Sequence, residues 1–228
     1  MMTYNAKLDL GMTPDQIDCL ELDPAIKKTF DVPQIIQFRE QGEAAESRFQ
    51  EVRAEIRTSK DVHLNFVPFP NAQEGVRRLN EEFGGVHYYT VRPREVINPT
   101  VQWLESQGFP SPQEVVICTS ARDKVFKMVR DWTLARGDSG VNVMTDERRV
   151  VVVDDNFAAM IFEAEKLAAR YSVMRRALSG LTVVVFGIDE KEKEIVLEEN
   201  MLSDYVRSHA LSSWDPAAVE DLIGKLKK

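Results

Sequence analysis

Cysteine is nearly absent. The 228 residues include two, Cys19 and Cys118, too few to staple a chain of this length, so reduced thiols in a cytoplasmic setting are expected. Histidine is also scarce, and His63, His87 and His209 show no partner pattern for metal binding or nucleophilic catalysis; His63 reads as structural. No apolar run approaches the roughly 18 residues that a membrane span needs. The opening stretch MMTYNAKLDLG lacks the basic-then-apolar pattern of a secretory leader. Asn98-Pro99-Thr100 is the one Asn-x-Thr match, and its proline excludes it as a glycosylation acceptor. Positive charge is in deficit: 29 Lys and Arg against 37 Asp and Glu give a net charge of −8. That balance opposes nonspecific binding to nucleic acid or an anionic membrane, although a local basic pocket can still hold a phosphate. Internal repeats and low-complexity segments are missing too. The remainder, 43% apolar and 29% charged residues, is the composition of a soluble folded protein with room for one core.

From about residue 62 to 187, short apolar runs alternate with longer helical patterns. Val86–Thr90, Val115–Cys118, Val150–Val153 and Leu181–Phe186 are continuous runs without polar alternation, which suits strands buried on both faces of a parallel sheet. Val96–Gln107 reads as a helix stopped by Gly108 and Pro110. Val125, Met128, Val129 and Trp132 fall at helical spacing, as do Met160, Ala164, Leu167 and Tyr171. Strand and helix in alternation predict right-handed crossovers and an open α/β sheet.

The first 60 residues have a different pattern. Ala45, Phe49, Val52 and Ile56 form one stripe of an amphipathic helix, and Thr13-Pro14-Asp15-Gln16 resembles an N-cap with proline at the first helical position. A helical cap or layer is expected over residues 1–60, an α/β core over 61–190, and a helical extension over 191–228. Asp189–Glu194 reads as a charged surface turn. Residues 196–228 read as helical, ending in Lys225, Lys227 and Lys228.

Ligands of open α/β sheets gather at the carboxyl ends of the strands. At the first such end, Thr90 offers a hydroxyl and Val91-Arg92 offer backbone N–H groups and a guanidinium, a cradle for a phosphate; the alternative is a Thr90 cap beside a solvated Arg92. At the third, Asp154-Asp155-Asn156 closes a run of valines. Adjacent carboxylates repel and resist desolvation, and a divalent cation such as Mg²⁺ relieves both problems. The alternative has one Asp capping the helix near Phe157 and the other facing water. Lys124, just past the second strand, either neutralises a phosphate and these carboxylates or is a surface lysine.

The order of these pieces resembles the haloacid dehalogenase-like hydrolases. Pro68–Leu79 is similar to the segment before that family's second signature, Tyr88–Pro93 resembles the signature itself, and Thr100–Leu104 (TVQWL) resembles the segment after it. Lys124 stands where the third signature belongs, and Val151–Asn156 resembles the fourth. The resemblance spans residues 66–187 and is nearest to capped phosphatases and nucleotidases. It implies a Rossmann-like open parallel sheet and phosphoryl transfer to an Asp nucleophile, then hydrolysis. Thr90 would bind phosphoryl oxygens, Lys124 would offset charge, and Asp154 with Asp155 would hold Mg²⁺.

The family's first signature, Asp-x-Asp at the end of an apolar strand, has no counterpart. The nearest match is Leu8-Asp9-Leu10-Gly11-Met12-Thr13, with Gly11 in place of the second Asp and polar residues before it. Val62–Val67 alternates and is a candidate for the lost strand, but carries no terminal carboxylate. Three explanations stay open: an absent N-terminal segment, a lost activity with the fold kept for binding, or Asp9 as an altered nucleophile. Two functions are compatible with them. One is a Mg²⁺-dependent phosphomonoesterase for a small phosphorylated metabolite; the other is a non-catalytic binding relative.

Overall fold

The computed structural model describes residues 2–17, 32–137, 150–154, 157–171, 181–199 and 207–227. They form two compact units, Met1–Asn65 and Phe66–Lys228.

The N-terminal unit is helical. It contains α1 (Met2–Leu8), α2 (Pro33–Arg39), α3 (Glu43–Thr58) and α4 (Lys60–Leu64). The expected stripe on α3 is the packing surface: Phe49 and Val52 are fully buried against Leu8, Val32 and Ile35, with Ile56 at the margin. Glu43 and Glu46 in its first turn and Arg57 in its last complement the helix dipole. Thr13 and Gln16 bond each other's backbone N–H, the reciprocal box that starts a helix at Pro14.

Val62–Val67 is not a strand. Ser59 Oγ accepts from the Val62 N–H and nucleates α4, Asn65 closes it, and Pro68 and Pro70 come within a few residues. A six-residue alternation is too short to outweigh a side-chain cap at its start.

The larger unit is mixed α/β. Its elements are α5 (Ala72–Phe83), β1 (Tyr88–Thr90), a 3₁₀ turn at Arg94–Val96, α6 (Ile97–Ser106), β2 (Val115–Ile117), α7 (Ala121–Gly137), β3 (Val150–Asp154), α8 (Phe157–Arg170), β4 (Leu181–Phe186), α9 (Glu190–Glu199), β5 (Arg207–Leu211) and α10 (Pro216–Leu226). All pairings are parallel. β1 pairs with β2, placing Thr90 opposite Ile117, while β3, β4 and β5 form a second sheet with Asp154 opposite Val185.

The two sheets lie between the same helical layers. Tyr89, Val152, Val183 and Val185 point to one apolar cluster with Val125, Met128, Met160, Ile161 and Ala164. Their alternate neighbours Tyr88, Val151, Val153, Val184 and Phe186 point to the other, with Ala72, Leu104, Trp214, Leu222 and Ile223. Both faces are thus covered, which is why these strands read as unbroken apolar runs. Tight contact sets the second layer: a Cβ on Gly75 of α5 would lie 2.4 Å from the Trp214 ring.

The C-terminal part departs from expectation twice. Asp189 and Glu192 exchange side-chain-to-backbone bonds at 2.8 and 3.2 Å, a capping box that starts α9 inside the supposed charged turn. Residues 207–211 are a strand rather than helix, because the buried strand β4 needs a partner for its second edge and Arg207–Leu211 supplies it.

Candidate functional site

Parallel pairing puts the carboxyl ends of β1 and β2 on one edge, and those of β3 to β5 on one edge. Lys124 joins the two sets. It leaves the first turn of α7, after β2, and its Nζ donates to Asp154 Oδ2 at the end of β3 at 2.6 Å. The side chains are 16% and 8% exposed, so this ion pair is largely withdrawn from water. A lysine and an aspartate thirty residues apart therefore meet at the strand ends, and the surface-lysine alternative is set aside. Asp155 lies outside the described residues.

The β1 end is built around Thr90. Its Oγ1 accepts from the Arg92 N–H at 3.2 Å, so the hydroxyl proton is left to donate elsewhere. The Arg92 guanidinium donates to Thr100 Oγ1 at 3.1 Å, and that hydroxyl in turn donates to the Val96 carbonyl. It also stacks 5.3 Å from the centre of the Phe66 ring. Burial pulls the Arg92 pKa below its ordinary value, yet an arginine stays charged. No carboxylate pairs with it among the described residues. Val91, between Thr90 and Arg92, is 44% exposed.

The β2 end is closed by a structural network. Asp123 accepts from the Thr119 N–H at 2.8 Å and from Lys127 Nζ at 2.9 Å, and the Lys127 contact holds its carboxyl below the usual range. Cys118 is buried, and burial pushes its thiol pKa up, away from the thiolate form.

Asp9 belongs to the N-terminal unit, where it is exposed in a left-handed turn (φ 51°) just past α1 rather than at the end of a strand. Among the described residues no group of three or more His, Cys, Asp or Glu could hold a metal ion. Of the two carboxylates assigned to Mg²⁺, Asp154 is described, and it already carries one cation, the Lys124 ammonium.

The histidines are scattered. His63 Nε2 bonds the Arg57 carbonyl, His87 lies 3.3 Å from Glu114 on the surface, and His209 on β5 has a pKa lowered by burial. Sequence reasoning missed the role of Phe66, whose ring backs Arg92; the signal was an apolar Phe66-Val67 pair held outside any helix by Pro68 and Pro70.

No family model matches the chain, and comparison with curated proteins and with solved structures gave no match. No helix of the described residues is long and apolar enough to cross a membrane.

Proposed function

We propose that the larger unit is a Rossmann-like hydrolase core that binds the phosphoryl group of a small metabolite and cleaves its ester with Mg²⁺, in the manner of the haloacid dehalogenase-like phosphatases. The reading rests on one observation: Lys124 and Asp154 meet at 2.6 Å where strand ends converge. Thr90 donates its hydroxyl proton to a phosphoryl oxygen, and Arg92 and Lys124 offset the charge that develops on the others. Asp154, with Asp155, contributes carboxylate oxygens of the hard type that Mg²⁺ takes. Bound there, Mg²⁺ would neutralise phosphoryl charge. Asp9 remains the candidate nucleophile.

Asp9 lies in a left-handed turn rather than at the end of a strand, and this favours a second reading, in which the same residues bind an anion without turning it over. One experiment separates them. The purified chain is assayed on phenyl phosphate with and without Mg²⁺, beside Asp154→Asn and Asp9→Asn. Metal-dependent turnover lost in Asp154→Asn is the expected result, and loss in Asp9→Asn assigns the nucleophile. A folded chain without turnover at any Mg²⁺ concentration overturns the phosphatase reading and leaves anion binding.

A further inference from the structure

Residues 66–71, Phe-Val-Pro-Phe-Pro-Asn, lie against the strand ends without a role in the phosphoryl chemistry. This strap is tied at both ends. Trp103 Nε1 donates to the Phe66 carbonyl at 2.7 Å, and Asn71 Nδ2 donates to Asp215 Oδ1 at 3.0 Å. Phe66 backs the Arg92 guanidinium, while Phe69 meets Phe186, the last residue of β4, edge-on at 5.0 Å. The strap thus reaches from the turn after β1 to the end of β4. Pro68 and Pro70 fix two of its φ angles and remove two donors, so it is stiff and has little tendency to pair as a strand.

Despite these ties, Val67 is 90% exposed and Phe69 65% exposed. Two apolar side chains two residues apart on a stiff strap and held open to water are a candidate binding surface. Beside it stands Arg92, a half-buried cation whose neighbours are a hydroxyl and an aromatic face rather than a carboxylate. Positive charge next to rigid apolar surface is complementary to an anion that carries a flat apolar group. An alkyl phosphate would leave the strap uncovered, and a hydrocarbon would leave the guanidinium unpaired.

We propose that Arg92 and the strap select aryl-bearing anions, with the anionic oxygens on the Arg92 guanidinium and the Thr90 hydroxyl and the ring on Val67 and Phe69. The proposal rests on the phosphoryl-binding reading of Thr90 and Arg92 and adds the substrate class: aryl rather than alkyl phosphomonoesters. Burial of Arg92 fits this role, since a desolvated guanidinium gains more from an anion than a hydrated one.

The test uses ligands that cannot be hydrolysed, so it reads binding without turnover. Calorimetry of the full chain compares phenylphosphonate with methylphosphonate. Phenylphosphonate is expected to bind about fivefold to tenfold more tightly, the size of an aromatic contact. Arg92→Gln should weaken both by about 10-fold to 100-fold, the worth of a hydrogen bond to a charged group. Val67→Ser and Phe69→Ala should erase the phenyl preference and leave methylphosphonate binding unchanged. Val67 is too exposed for its replacement to unfold the protein. Equal affinity for the two phosphonates, no binding of either, or a preference that survives both strap variants overturns the proposal. Tight phenylphosphonate binding without hydrolysis of phenyl phosphate removes the phosphatase reading and leaves this one standing. Equal hydrolysis of aryl and alkyl phosphates does the reverse.

Discussion

Among the described residues of the larger unit, Lys193 and Lys124 both face carboxylates with little exposure, and their surroundings differ in a way that separates chemistry from architecture. Lys193 on α9 is 7% exposed at its side chain and places its three N–H donors on three acceptors, Glu190 at 2.8 Å, Glu194 at 3.0 Å and the Ser208 carbonyl at 3.1 Å. Glu190 is held by more than one donor too, taking the Ala210 N–H and Lys225 besides. This network fastens α9 to β5 and α10, and every donor is spent on the fold. Lys124 is almost as well covered, but Asp154 is its sole acceptor among the described residues, so two of its N–H groups are left over. A covered ammonium with donors to spare is suited to a ligand; one with none is a staple.

The largest expected effect breaks that contrast at Lys124. Lys124→Gln keeps a donor for Asp154 but removes the charge, and it should lower turnover of phenyl phosphate by about 10²–10³-fold, the cost of losing one oxyanion donor. The midpoint of urea unfolding should fall as well, because Asp154 is 8% exposed and loses its counter-charge, but turnover by the folded fraction should still drop. A variant that loses stability and keeps its turnover would make Lys124 a second staple.

Lys193→Met is the mirror experiment. It strands the Ser208 carbonyl and two carboxylates, and a loss of about 1–3 kcal/mol of stability is expected, reduced by the partial exposure of both glutamates. Phosphonate binding by the folded fraction should be unchanged. Weaker binding at full folding would show that the two regions are coupled.

Much of this contrast is hidden in the sequence, for identifiable reasons. The runs at Val150–Val153 and Leu181–Phe186 are legible because both faces of their sheet are covered, which removes polar residues from alternate positions. The meeting of Lys124 with Asp154 is legible only through their places at expected strand ends, since thirty residues of separation carry no local sign of contact. Lys193 escapes notice because Glu190-Lys191-Glu192-Lys193-Glu194 looks like a solvated charge run. Its burial is decided by β5, and β5 itself is concealed, because Arg207–Leu211 has neither β-branched residues nor a clean alternation. The Asp189-x-x-Glu192 capping box is the available clue. Arg92 is readable as a cation just past a strand end, but its aromatic backing by Phe66 depends on a tertiary contact across 26 positions, which no spacing rule contains.

Acid titration sharpens the comparison further. Burial by itself would raise the Glu190 carboxyl, but Lys193, the Ala210 N–H and Lys225 outweigh it and bring the pKa from 4.5 down to about 2. A carboxyl depressed on folding stabilises the native state fully above its unfolded value, and that contribution fades as pH falls through the folded one. Thermal unfolding of the parent chain should therefore show a loss between about pH 4.5 and pH 2 that Glu190→Gln, already weaker at neutral pH, shows to a smaller extent. Parallel curves for the two proteins would mean that other carboxylates control acid stability.

The smallest effect is expected at the rim of the same network. Glu194 lies 3.0 Å from Lys193 Nζ, as close a partner as Glu190, but its side chain is 63% exposed against 40% for Glu190 and no backbone donor reaches it among the described residues. Water can take its place at the ammonium, so Glu194→Gln should cost about 0–1 kcal/mol, against a larger loss for Glu190→Gln. Equal losses in urea unfolding would mean that proximity to the buried lysine sets the strength of the staple. Unequal losses would assign it to the further donors of Glu190, the Ala210 N–H and Lys225, which tie its charge to strand β5 and α10.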